Sequence, residues 1–285
     1  MRPAPTPAPT AAPTAGRYPV RFGTAELQRD ADRPNAWTIS VDGVAQSHVD
    51  LDDPTDLEFD YIRRIGDVID CLAEGPLDAL HVGGAACTLP RYLAATRPGS
   101  RQLIFDADGE LVTLVREQLG LKGLKVRVGD GREGVSARYD DSADLVIVDA
   151  FERGVLAGGL ATTEFTTEIA RVLRPAGTYI ANISDGPNLP FLRRFLATLA
   201  TSFPHVALLA EPGVLRGRRF GNIVVTAARQ ELPVTALTRR AASATYPARC
   251  VANEDLLQLQ GNAKPITDAE ALPSPIPPKD VFGIF

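Results

Sequence analysis

The chain has 285 residues, room for one ordinary core and a small appendage, and its 45% apolar and 23% charged content matches soluble globular proteins. A net charge of -5 argues against a general nucleic-acid binder, which shows a basic face. Three cysteines without CxxC spacing and three histidines offer no disulfide framework, zinc site or histidine triad; this fits a reducing cytoplasm, and no apolar run is long enough to span a membrane.

In chain order, "MRPAPTPAPTAAPTAG" lacks the apolar stretch of a signal peptide and cannot bury enough surface to offset chain entropy, so a disordered tail is expected over 1–16. Over 17–54, "RYPVRFGTAELQRD" and "AWTISVDGVAQSHVDL" alternate apolar and polar residues around the turn "ADRPN", which predicts a small antiparallel β-domain. "DPTDLEFDYIRRIGDVIDCLAEG" then places Leu57, Tyr61, Ile65, Val68, Ile69 and Leu72 at helical spacing, with Asp53 or Thr55 to cap the start and Gly75 the end.

From Leu77 strands and helices alternate, within a domain expected over 55–229. Strands are predicted at 79–82, 102–105, 125–128, 145–148, 178–183, 206–209 and 222–226, and helices at 88–95, 109–119, 163–173 and 188–201. "TTEF" supplies N-cap chemistry and "LRPAG" a sharp helix stop. This pattern predicts an α/β fold: a mainly parallel sheet of about seven strands covered on both faces. His81, in a buried-strand pattern, reads as a hydrogen-bonded core residue, and the arginines of "LRGRRFG" as a solvated hairpin. The extension 230–285 carries a short helix at 253–260 and then the Pro-rich, extended "LPSPIPPKDVFGIF".

Parallel sheets bind ligands beyond the carboxyl ends of their strands, near the switch point. Four features fall there. Gly83 and Gly84 follow the first strand, where glycine permits close backbone approach and the next helix offers unpaired N–H groups. Asp106 ends the second strand about twenty residues on, the spacing at which a carboxylate accepts ribose hydroxyls. Asp130, followed by Gly131 in "VGDGRE", comes after the third strand, placed to accept from an exocyclic amine, and Asp149 in "DLVIVDAF" ends the fourth. No GxxxxGK[ST] is present and "GGAACT" lacks the G-x-G-x-x-G spacing, so an adenosyl sulfonium, which needs no anion cradle, fits better than a nucleotide phosphate.

The order "DGVAQS", "FDYI", "HVGGAACTLPR", "FDAD", "GDGR" and "VDAF" resembles the polyamine aminopropyltransferases, the spermidine synthase family, from about Thr38 to about Thr226. The resemblance implies a small N-terminal β-domain before a methyltransferase-like Rossmann domain. It makes Gln46 the glutamine near the nucleoside, Asp106 the ribose acid, Asp130 the adenine-side acid, and Asp149 the acid that takes a proton from the attacking amine. Tyr61 matches the tyrosine of "DExxYHE", and Glu152 stands in for the second acid of "DxxDP" on the substrate side. The implied co-substrate is decarboxylated S-adenosylmethionine, or S-adenosylmethionine itself, without a metal. The implied partner is a small-molecule amine, with no nucleic acid and no membrane, in a cytoplasmic homodimer or homotetramer.

Several family positions differ. "GGGDGG" becomes "GGAACT", putting Ala86 where the family has a substrate-side aspartate; "YHE" becomes Tyr61-Ile62-Arg63, and Arg153 replaces the proline of "DxxDP". Each buried ammonium of a diamine needs a carboxylate partner, and about half of those expected are gone. Two further readings follow: a methyltransferase in which Arg63 or Arg153 pairs with the methionine carboxylate, or a non-catalytic Rossmann binding module without an amine site.

Overall fold

The computed structural model describes residues 12–152 and 154–278. Residues 1–11 of the expected tail, Arg153 and the final "KDVFGIF" lie outside the described residues. Four strands open the fold: β1 (Gly16–Val20), β2 (Gly23–Arg29), β3 (Ala36–Val41) and β4 (Val44–Asp50) form an antiparallel meander in chain order. Alternation sends Leu27, Ile39 and Val49 to one face, where they bury against Ala86, Cys87, Leu111 and Val115. Thr14, within the expected tail, donates its N–H to Gln118 Oε1 at 2.8 Å.

Helix α1 (Asp60–Asp70) begins later than its apolar spacing predicts. Asp53 accepts from Thr55 N in a local turn, and neither caps the helix, whose N-cap is Phe59. Its far end stops at Cys71, not Gly75, because the Arg97 guanidinium gathers the Ile69, Leu72 and Ala73 carbonyls.

The large sheet holds eight strands. Chain order runs β5 (Asp78–Val82), α2 (Thr88–Thr96), β6 (Arg101–Asp106), α3 (Gly109–Gln118), β7 (Lys125–Val128), α4 (Gly131–Ser136) and β8 (Ala143–Val148). A hairpin of β9 (Phe151–Glu152) and β10 (Val155–Leu156), with a 3-10 turn over Gly158–Leu160, precedes α5 (Thr163–Val172) and β11 (Leu173–Asp185). Then follow α6 (Pro190–Leu199), β12 (His205–Ala210), α7 (Pro212–Leu215), β13 (Gly221–Ala228), α8 (Val234–Ser243), β14 (Arg249–Ala252) and α9 (Asn253–Gln260).

Spatial order is β14-β12-β13-β11-β8-β5-β6-β7. β11, β8, β5, β6 and β7 run parallel, and β13, β12 and β14 complete the sheet with antiparallel pairings. The eighth strand is β14, whose four residues after α8 are too few to show a period. Alternate residues feed two cores, Leu80 and Val82 on one face, Ala79 and Ile147 on the other. Thr162 caps α5 by accepting from Phe165 N, and α5 gives way directly to β11 at "LRPAG". Among the described residues, no helix is long and apolar enough to cross a membrane.

The chain passes from β5 to β6 and β7 on one side, then returns to β8 on the other, so the switch point lies between β5 and β8. Strand polarity brings Val82, Asp106, Val128 and Val148 to the same edge. The N-terminal sheet closes that edge from above, and the C-terminal segment from beside. Asp268 holds Arg132 in a two-pronged ion pair at 2.7 and 2.6 Å, and Ser274 exchanges hydrogen bonds with the Leu156 backbone at 2.9 and 3.0 Å.

Candidate active site

A cleft of about 760 Å³ opens at this switch point. Its wall contains the expected nucleoside- and amine-side residues: Gln46 on β4, Tyr61 on α1, Gly83 and Gly84 after β5, Asp106 ending β6, Asp130 and Gly131 opening α4, Asp149 after β8, and Glu152 on β9.

The glycines serve the protein's own packing. Gly83 has φ +83°, and a Cβ there would stand 2.2 Å from the Asp149 carbonyl oxygen; at Gly84 it would meet Ile104 Cγ2 at 2.7 Å, and at Gly131 Val82 Cγ1 at 2.4 Å. The close approach inferred from sequence is thus to neighbouring strands, with the loop still facing the cleft. Ala85 (φ +39°) and Cys87 (φ +61°) follow in the left-handed region that favours glycine. Ala86, fully buried beneath the N-terminal sheet, does not reach the cleft wall. Burial pushes the Cys87 thiol up to about 12, so it offers no thiolate.

Asp106 accepts from Gly84 N at 3.1 Å and Ala85 N at 3.0 Å through Oδ2, and from Asp108 N at 2.9 Å through Oδ1. Burial raises its pKa, opposed by these backbone donors. The carboxylate therefore fixes the glycine loop and keeps lone-pair capacity toward the cleft. Asp130 caps α4, accepting from Glu133 N at 2.9 Å. Asp108, which sequence reasoning passed over, caps α3 and accepts from Arg21 N, tying the first hairpin to the Rossmann sheet. Gln46 Nε2 donates weakly to the Val44 carbonyl at 3.4 Å.

Asp149 follows β8 at the switch point. Burial lifts its carboxyl to about 6, countered by Asn182, whose Nδ2 donates to Oδ1 at 3.0 Å. Tyr61 is raised well above the ordinary phenol range by burial and by the Asp149 charge, so it stays a neutral hydroxyl beside the carboxylate. Asn182 is 1% exposed and its Oδ1 has no partner among the described residues. Asn182 and Asn222 are cleft residues that sequence reasoning missed; the signal available was a lone amide in the apolar run "TYIANIS".

Among the described residues, six carboxylates face this cleft (Asp42, Asp106, Asp108, Asp130, Asp149 and Glu152) against two guanidiniums. Arg132 is ion-paired with Asp268 and donates to the Gly159 carbonyl, whereas Arg21 donates to the Ala107 carbonyl and has no carboxylate partner among the described residues. Arg63 turns away to the Leu57 carbonyl and Asp60, so the sequence-based pairing of Arg63 with a ligand carboxylate is not supported. The described lining of the cleft thus carries net negative charge. Among the described residues, no group of three His, Cys, Asp or Glu side chains is placed to hold a metal ion.

This fold and cleft define a methyltransferase-like Rossmann protein with an N-terminal β-sheet. A probable spermidine synthase from Corynebacterium glutamicum superposes with a TM-score of 0.85 at 32% identity, over 90% of this chain and 97% of that one. The chain belongs to the spermidine synthase-like family. The polyamine aminopropyltransferase of Chromobacterium violaceum is 26% identical over 203 residues, 69% of this chain and 74% of that protein. Spermidine synthase from Thermotoga maritima shares the fold, with a TM-score of 0.55 at 14% identity over 86% of this chain and 83% of that one. No protein-family model matches.

Proposed function

We propose that the protein is an aminopropyltransferase that joins an amine to the aminopropyl group of decarboxylated S-adenosylmethionine. The observation that carries this reading is the charge balance of the cleft: six carboxylates against two guanidiniums among the described residues, one of which, Arg132, is already ion-paired with Asp268. A ligand with a sulfonium and an ammonium suits that wall. S-adenosylmethionine brings a further carboxylate, which a wall of net negative charge disfavours. The unpartnered Asn182 Oδ1 beside Asp149 offers a further acceptor to an N–H donor.

Gln46, Asp106, Asp130 and the Gly83–Gly84 loop hold the nucleoside; Tyr61, Asn182 and Glu152 line the acceptor side. The bound sulfonium supplies a good leaving group on the carbon to be transferred. Asp149, held by Asn182, takes the proton from the amine nitrogen as the C–N bond forms and the C–S bond breaks, releasing methylthioadenosine. A carboxyl with a pKa of about 6 is ionised at neutral pH yet basic enough to serve.

The test is transfer itself. Incubation with decarboxylated S-adenosylmethionine and a panel of mono-, di- and polyamines should release methylthioadenosine with at least one amine. Asp149→Asn should lower that rate about 10²- to 10⁴-fold. No release with any amine would overturn the reading, and an unchanged rate in Asp149→Asn would remove Asp149 from the chemistry.

A further inference from the structure

Behind Asp149, where α1 and α2 cover the sheet, lies a second chamber of about 20 Å³. A single water needs roughly this much room and two to four polar partners. The wall supplies them in Asp149, His81, Ser47 and Thr88. The last three are buried, His81 to 2% exposure.

The surrounding hydrogen bonds fix what each group has left to give. Gln102 Nε2 donates to the Pro90 carbonyl at 2.9 Å, which turns Gln102 Oε1 toward His81 Nε2, also at 2.9 Å. Nε2 is therefore the protonated nitrogen of His81. Burial drives the ring's pKa down to about 4, so the imidazole is neutral and Nδ1 is an acceptor, with no partner among the described residues. Ser47 Oγ accepts from Ala86 N at 3.3 Å and keeps its hydroxyl hydrogen to donate. Thr88 Oγ1 spends its hydrogen on the His48 carbonyl at 2.9 Å.

We propose that the chamber is a water site, in which one water donates to the Asp149 carboxylate and to His81 Nδ1 and accepts from the Ser47 hydroxyl, making His81 a positioning residue for the charge on Asp149. A hydrogen bond given to a carboxylate favours its ionised form, so the water offsets part of the burial that raises Asp149. The catalytic consequence rests on the proposed role of Asp149; the water site does not.

The test uses the ligand-free protein. A high-resolution crystal structure should show one ordered water within hydrogen-bond distance of Asp149 and His81. Carbon-13 NMR titration of Asp149 should move upward by about half a pH unit to one unit in His81→Leu and in His81→Gln. The Gln amide reaches the Nε2 position and leaves the Nδ1 position empty. In His81→Asn the amide oxygen falls where Nδ1 stood, and the titration should return close to wild type. Should the His81 variants fail to fold, Ser47→Ala provides the same upward shift. A dry chamber, or an Asp149 titration unmoved by these substitutions, overturns the proposal. Neither readout needs turnover, so an inactive protein with the water in place would count against the transferase reading alone.

Discussion

Asn182 donates to Asp149 across the β8–β11 pair at 3.0 Å while its own amide oxygen stays buried without a partner. A strand pairing, Val148 beside Ala181, thereby places the two polar side chains next to each other at the strand ends. The donated N–H stabilises the charged carboxylate, and the orphaned oxygen carries a desolvation cost that an N–H donor in the cleft would relieve. Replacing Asn182 by Leu should raise the pKa of Asp149 and move the acid limb of the rate profile upward, with KM for the acceptor rising as well. A profile that stays in place would show that the pair is not coupled.

Asp149 itself links activity and stability in opposite senses. Its folded pKa, about 6, lies above the 3.8 of an ordinary aspartate, so the folded state binds the extra proton and stability contributed by this group is full below about 3.8 and lost as pH rises through 6. The proposed general-base role needs the ionised form, so activity should fall below pH 6 with a single-proton acid limb. Asp149→Asn should therefore remove that limb and raise the melting temperature at neutral pH, a gain of about 1–3 kcal/mol that disappears toward pH 4. Equal stability of the two proteins at pH 7.5 would contradict the buried-charge account; scanning calorimetry across pH reads it directly.

The glycine loop stores strain at two non-glycine positions. Ala85 sits at φ +39° with its N–H on Asp106 Oδ2. Ala85→Gly should relieve the left-handed penalty and stabilise the protein by about 0.5–1 kcal/mol, net of glycine's larger chain entropy. Chemical denaturation of the variant measures it, and a destabilised Ala85→Gly would show that the loop is relaxed as it stands. Cys87 is the poorer choice, because its side chain also fills the core beneath the N-terminal sheet.

Much of this site is legible from residues alone, for one reason. Asp106, Asp130 and Asp149 stand at the ends of short apolar strands, and a parallel sheet brings such ends to one edge whatever else varies. The same periodicity does not reveal Asn182, which lies inside a strand and looks like an interruption. Nor does it reveal Asp108, whose bond to Arg21 crosses 87 residues of chain. Helix α1 shows a different limit: its apolar spacing starts at Leu57, yet an Asx turn at Asp53 and the Arg97 guanidinium, both tertiary or local hydrogen-bonding matters, set where it begins and ends. β14 escapes because four residues at a sheet edge carry no readable period.

The C-terminal segment braces the cleft wall across a separation that sequence gives no hint of. Asp268 grips Arg132, and Arg132 also donates to the Gly159 carbonyl in the turn lining the cleft. The ion pair is partly exposed, so Asp268→Asn should cost less than about 1 kcal/mol of stability. Its expected mark is kinetic: a severalfold rise in KM for the amine with kcat little changed, because the turn over Gly158–Leu160 loses its brace. A change confined to kcat would place the effect elsewhere.

Isothermal titration of the ligand-free protein with methylthioadenosine, S-adenosylmethionine and decarboxylated S-adenosylmethionine tests the acidic cleft most directly. Decarboxylated S-adenosylmethionine should bind tightest, methylthioadenosine measurably, and S-adenosylmethionine weakest of the two sulfonium ligands, with Asp106→Ala weakening all three. Tighter binding of S-adenosylmethionine than of its decarboxylated form, or binding of none of them, would contradict the account.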